Sequence, residues 1–257
     1  MRRVLSAALG LALVSCDGGI NVFAVQDDLT LGAQLAAEIE ADPVNYPVID
    51  RSDNPEAYAA FDRIIARVLD SGAVELRDEL VWQFRLIDDD TVVNAFAAPG
   101  GYVWVYSGLI EALANEDSFA GVIAHEIGHA DGRHSTEALT RVYGLSLLFD
   151  ILFDNGGGLA GDVAEGLAGL EFSRANERDA DERSVRYLCD SPYAADSVAL
   201  FFEELEGTGG PTFLSTHPAP ENRVSDVRQL ATDLECSTEL SGLTDFETLR
   251  AALRTAN

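Results

Sequence analysis

Apolar residues recur along this chain at two spacings, and the spacings divide it into elements. In residues 29–41, Leu31, Leu35 and Ile39 repeat at helical intervals until Pro43 and Pro47 end the pattern. Residues 55–69 predict a second amphipathic helix, with Tyr58, Phe61, Ile64, Ile65 and Val68 on its apolar side. The period then drops to two: Val81, Gln83, Arg85 and Ile87 alternate with Trp82, Phe84 and Leu86, which predicts a strand over 81–87. After the Asp88-Asp89-Asp90 turn, residues 92–97 and 102–106 read as the arms of a hairpin around Pro99-Gly100-Gly101. Residues 107–114 predict a short helix. Longer helices follow over 118–134, 135–153, 159–188 and 192–205, then a loop over 207–220 and helices over 221–234 and 246–253. Many helices around one small antiparallel sheet make an α+β fold, and residues 29–257 read as a single domain.

Two apolar stretches fall outside that scheme. Residues 4–14 follow Arg2 and Arg3 and have the length of a signal peptide, too short to span a bilayer. They end in Leu13-Val14-Ser15-Cys16, which resembles the lipobox of bacterial lipoproteins. Residues 1–15 are therefore expected to be removed, Cys16 to carry lipid, and residues 16–28 to tether the domain on the periplasmic side of a bacterial membrane. The second stretch, Leu145 to Phe153, is interrupted by Asp150 and stopped by Gly156-Gly157-Gly158. It reads equally as a lid, a membrane-facing lobe or part of the core.

Composition narrows the partners. The net charge is −27 and all 17 basic residues are arginine. Such a surface repels nucleic acid and anionic headgroups. With Cys16 assigned to lipid, Cys189 and Cys236 remain, an even pair expected to be bonded in an oxidising compartment.

The candidate chemistry lies in 118–134. Phe119, Val122, Ile123 and Ile127 make this a helix with one buried face, so His125 and His129, four apart, point to a common place. Glu126 is rotated about 100° from His125 and flanks that place. This is the H-E-x-x-H arrangement, two imidazoles for a zinc ion with a carboxylate to take a proton from water. A zinc site with an open position needs a third protein ligand. His134, five residues past His129, falls on another face of the same predicted helix and reads as a surface or packing residue. Glu177 and Asp181, again four apart, offer one carboxylate for the metal and one for the outer nitrogen of a ligand ring; Glu177 is assigned the first role and Asp181 the second.

Four blocks in order, 94–101 (NAFAAPGG), 125–134 (HEIGHADGRH), 177–181 (ERDAD) and 215–223 (STHPAPENR), carry a resemblance to a known family. The chain resembles the HtpX and CAAX-prenyl-protease family of zinc metallopeptidases, of the gluzincin type, and within it the LoiP/BepA-like lipoprotein branch. The resemblance implies a mostly helical zincin-like domain and one Zn²⁺ per chain on His125, His129 and Glu177, with Asp181 behind them. It implies peptide-bond hydrolysis by a zinc-activated water, with Glu126 as general base, on misfolded or unassembled envelope proteins. His217 or Arg223 would donate to the developing oxyanion. A substrate strand would lie along the hairpin edge at Asn94 and Phe96, with Arg223 nearby. Other readings stay open: His217 as an ordinary loop residue or as a cap on the zinc, a low-turnover chaperone or assembly factor built on a peptidase fold, and a structural lipoprotein whose metal only stabilises the fold.

Overall fold

A computed structural model describes residue 21 and residues 23–153, 159–208, 211–218 and 222–256. The expected signal peptide, Cys16, most of the expected tether and the Gly156-Gly157-Gly158 stop lie outside those residues. The first helix, α1 (Val25–Glu40), is followed by α2 (Pro55–Leu69), which begins with proline at its first position and buries the predicted apolar stripe. Three strands come next: β1 (Gln83–Ile87), β2 (Ala95–Ala98) and β3 (Tyr102–Tyr106), with a 3₁₀ turn at Pro99–Gly101 inside the hairpin. The helices that complete the chain are α3 (Ser107–Ala112), α4 (Glu116–Asp131), α5 (His134–Leu152), α6 (Leu159–Leu167), α7 (Arg174–Cys189), α8 (Ser197–Thr208), α9 (Pro211–Thr216), α10 (Arg223–Asp233) and α11 (Asp245–Ala256).

The sheet is mixed rather than purely antiparallel. β2 and β3 form the expected antiparallel hairpin, but β1 passes β2 and pairs in parallel with the far side of β3, giving the order β1-β3-β2. β1 also starts two residues late, because Trp82 takes a left-handed φ of 49° that no strand accommodates. Both faces of the sheet are covered. Val103 and Val105 join Phe84, Leu86, Ala95 and Ala97 in a core with α2, α4 and α11. Tyr102, Trp104 and Tyr106 join Phe96 and Ile87 in a second core with α1, α5 and α6. A strand buried on both sides has no reason to alternate with polar residues, hence the unbroken YVWVY.

Other departures have local causes. α1 begins at Val25, so the end of the expected tether belongs to the fold; Asp28 is buried against Arg133 and Thr136. The long helix expected over 159–188 is two helices, because Ser173 caps α7: its hydroxyl accepts from Asn176 N at 3.1 Å. The loop expected over 207–220 contains α9. α5 is kinked at Gly144 (φ 77°). Beyond the kink its apolar stretch is two-sided: Leu148 and Ile151 are in the core, whereas Leu145, Phe149 and Phe153 are exposed. Among the described residues no helix is long and apolar enough to cross a membrane. Cys189, at the end of α7, is bonded to Cys236, just beyond α10, with Cα atoms 5.1 Å apart.

Candidate metal centre

The centre is built on α4, which is buried along its whole length between the sheet, α7 and α8. Asn115 caps it, its side-chain oxygen accepting from Ser118 N at 3.0 Å, and Glu116 and Asp117 lie in the first turn where the helix end favours acids. Gly128, inside the H-E-x-x-H turn, faces α7 at close range. A Cβ there would lie 2.9 Å from the Ala180 carbonyl oxygen, so this glycine sets how near Glu177 can come to the two histidines.

Four buried side chains converge: His125 and His129 from α4, Glu177 from α7, and His217 from the end of α9. One donor atom from each lies within 4.8 Å of all the others. The Nε2 atoms of His125 and His129 are 3.0 Å apart. Glu177 Oε2 is 3.4 Å from the first, and Glu177 Oε1 is 3.3 Å from the second. His217 Nδ1 stands 3.1 Å from Glu177 Oε1. Aromatic rings hold the imidazoles in place, Phe172 stacked on His129 at 3.9 Å and Phe213 on His217 at 4.2 Å.

Glu126 is fully buried beside this cluster, and neither of its carboxylate oxygens has a hydrogen-bond partner; Oε1 is 3.5 Å from His217 Nε2, which is also unpartnered. Buried polar atoms are rarely left so. Burial pushes the Glu126 carboxyl above the usual carboxylate range, against the pull of His217 and His125. Burial also opposes charge on His125, but the Asp181 and Glu177 carboxylates outweigh it and lift that ring to about 9. On His129 burial wins and the ring falls well below its ordinary value. Glu177, although buried, is held well below the carboxylate range by His217 and His129.

Two imidazoles, a carboxylate and a third imidazole are a donor set that suits zinc, and the orphaned Glu126 oxygens beside it suit a bound water. The residues present fit the ion.

Asp181 lies behind the cluster as expected, its Oδ1 3.0 Å from His125 Nδ1. Arg223 is placed differently from the expectation of a substrate-facing cation. Its Nε donates to Asp181 Oδ2 (2.6 Å), and its Nη2 donates to Asp181 Oδ1 (2.7 Å) and Glu177 Oε2 (2.9 Å). Two inward carboxylates need a counter-cation, and the guanidinium supplies it while stacked 3.7 Å over Phe202; only Nη1 is left without a partner. Phe96 is a core residue stacked on Trp104, and Asn94 donates to the Ala168 carbonyl at 3.3 Å, so both side chains serve the fold. Of the β2 main chain, the Ala97 carbonyl already accepts from Ser135 Oγ at 2.7 Å.

His134 is the residue that spacing misplaced. α4 ends at Asp131, Arg133 adopts a left-handed φ of 58°, and α5 starts afresh. The bend turns the buried His134 back onto His129, their Nδ1 atoms 3.1 Å apart. The Gly132 that permits close packing and the Arg133-His134 pair were visible in the sequence, but the left-handed turn between them was not.

The model of peptidase family M48 matches residues 55–231, which contain all four sequence blocks and every member of the cluster. The chain belongs to peptidase family M48. Relatives of this M48 peptidase include the mitochondrial metalloendopeptidase OMA1 of Schizosaccharomyces pombe, 30% identical over 70% of this chain and 54% of that protein. They also include OMA1 of Saccharomyces cerevisiae, 32% identical over 59% of this chain and 48% of that one. The beta-barrel assembly-enhancing protease of Escherichia coli K12 is 33% identical over 60% of this chain and 35% of its own length. The M48 chain thus spans about half the length of the first two, and about a third of the other. Zinc is the metal of this family, and the buried cluster is able to hold it.

Proposed function

We propose that the protein is a zinc-dependent endopeptidase in which His125, His129 and Glu177 hold the ion. The observation that carries this reading is Glu126: an unpartnered, buried carboxylate beside three converging ligands has no structural task, but it has a catalytic one. Zinc held there supplies Lewis acidity to a water molecule and to the scissile carbonyl. Glu126, through its free oxygens, takes the water proton and passes it to the leaving amine. Asp181 fixes the His125 ring through Nδ1, leaving Nε2 for the ion. Arg223 balances the two carboxylates, and its Nη1 or His217 Nε2 is the donor available to the developing oxyanion. The test is cleavage of a casein-type substrate by the purified protein. Activity is expected to vanish with a zinc chelator and return with added zinc; activity indifferent to both would overturn the assignment.

The substrates we infer are misfolded or unassembled proteins of the bacterial envelope. What supports this is the lipobox-like Leu13-Val14-Ser15-Cys16 together with a relative named for β-barrel assembly; the mitochondrial relatives show that such peptidases also work elsewhere. If Cys16 anchors the chain, Cys16→Ser is expected to move the protein from the membrane fraction to the soluble periplasm. Equal fractionation of both forms would sink the anchor.

His217 favours a second reading. A catalytic zinc site keeps one position open, yet His217 Nδ1 lies within reach of the place the other three surround. In this conformation His217 would close the site, which fits a resting enzyme or a low-turnover assembly factor. Loss of cleavage upon Glu126→Gln with full complementation of a deletion strain would favour the assembly factor.

A further inference from the structure

His125 and His129 each turn one ring nitrogen into the cluster and the other away from it, and the two outward nitrogens find different partners. His125 Nδ1 meets the Asp181 carboxylate directly. His129 Nδ1 meets another imidazole nitrogen, Nδ1 of His134, at 3.1 Å. The far nitrogen of that ring, His134 Nε2, is 3.1 Å from Asp179 Oδ2, which also accepts from Arg183 Nε at 2.6 Å. We propose that His134 and Asp179 form a positioning relay for the metal ligand His129, doing through an intervening ring what Asp181 does for His125 by direct contact.

Hydrogen placement follows from the atoms that meet. A neutral imidazole carries one N–H, and a nitrogen that binds a metal must offer its lone pair. With His129 Nε2 turned to the ion, its proton sits on Nδ1 and donates to His134 Nδ1. That nitrogen must therefore be an acceptor, which puts the His134 proton on Nε2, donating to Asp179. Every polar atom in the line is satisfied in one arrangement only. Outer partners of this kind fix ring orientation and raise ligand basicity. α7 then contributes three acids to one ion: Glu177 as ligand, Asp181 behind His125, and Asp179 behind His129 through His134.

The fold spends several features on holding His134 there. Arg133, in its left-handed conformation, is clasped by Asp28 Oδ2 (2.5 Å) and the Phe23 carbonyl (2.5 Å). Thr136 Oγ1 donates to the other Asp28 oxygen at 2.7 Å. At Gly132 a Cβ would sit 2.5 Å from His134 Nε2, so the ring occupies space only a glycine leaves. On its other side His129 is backed by Phe172, which leaves the relay and the stack to set its rotation between them.

The relay rests on the reading of His129 as a metal ligand, and the test separates the two. Zinc affinity is measured by competition with a chromophoric chelator on the full chain, for wild type, His134→Leu and His134→Asn. Leucine removes the acceptor while keeping bulk, and asparagine restores an acceptor oxygen near the Nδ1 position. His134→Leu is expected to bind zinc about 10–100-fold more weakly, and His134→Asn to recover most of that loss. Wild-type affinity in a folded His134→Leu, or equal losses in both variants, would reduce His134 to a packing residue and overturn the relay. A wild type that takes up no zinc would overturn the metal reading, and the relay with it. Should His134→Leu not fold, long-range ¹H–¹⁵N correlations on the zinc-loaded wild type decide: a proton on His134 Nε2 supports the relay, and one on Nδ1 rules it out.

Discussion

Glu126→Gln is expected to take up one zinc per chain, as the wild type does, and to cleave a casein-type substrate about 10²–10⁴-fold more slowly. The two halves of that result come from different atoms. Zinc uptake depends on His125, His129 and Glu177, whose donor atoms do not include the Glu126 carboxylate. Cleavage depends on a proton acceptor next to the ion, and glutamine has the size and shape of glutamate without that capacity. The Glu126 oxygens make no hydrogen bond within the protein, so the substitution disturbs no network, and its effect on folding should be small. Metal content by atomic emission beside the rate of peptide release checks both halves. A Glu126→Gln protein that cleaves as fast as wild type would remove the general-base assignment and leave the metal site standing.

Arg223→Met should be costly to the fold itself, by about 3–5 kcal/mol, the usual cost of stripping one partner from a buried ion pair. Methionine keeps most of the stem that packs on Phe202 but leaves Asp181 and Glu177 without the guanidinium that bridges them. The loss should be larger in metal-free protein than in zinc-loaded protein, since zinc itself supplies positive charge to Glu177. Urea unfolding of both forms, with and without zinc, measures that difference. Arg223→Lys should recover only part of the loss, because one ammonium cannot reproduce the forked pair of bonds to Asp181. An unchanged urea midpoint in Arg223→Met would show that the guanidinium is not what balances the two acids.

Much of the site could be read from spacing, because its parts ride on regular helices. His125 and His129 are one turn apart on α4, and Glu177 and Asp181 are one turn apart on α7; a period of 3.6 residues places each pair without knowledge of the tertiary fold. α2 was legible to the residue for a similar reason, with a proline at its start and a clean apolar stripe. What escaped depends on where chains bend or which distant elements meet. His134 was assigned to the far side of a helix that in fact stops at Asp131, since nothing in the periodicity marks the left-handed turn at Arg133. The Ser173–Asn176 cap that divides α6 from α7 is a local signal, and Gly166 and Gly169 just before it mark the same break, but apolar residues on either side at helical spacing masked it. The direction of β1 could not be known from alternation, which reports that a strand has two faces and not which neighbour it pairs with. Arg223 was recognised as part of the site by resemblance, yet its commitment to Asp181 and Glu177 only becomes evident when α10 is seen against α7.

The Cys189–Cys236 bond has a mechanical meaning for that pair of helices. α7 and α10 lie side by side and run away from the metal centre in the same sense. Their first turns bring Glu177, Asp181 and Arg223 together, and their far ends are joined by the disulfide. Glu177 and Cys189 are twelve residues apart on α7, about 18 Å along the helix axis. Two rods joined at one end resist sliding past each other. The cystine thus pins the α7–α10 pair at the ends away from the metal centre, as Arg223 ties the near ends to Asp181 and Glu177, so the register that brings guanidinium and carboxylates together is held from both ends.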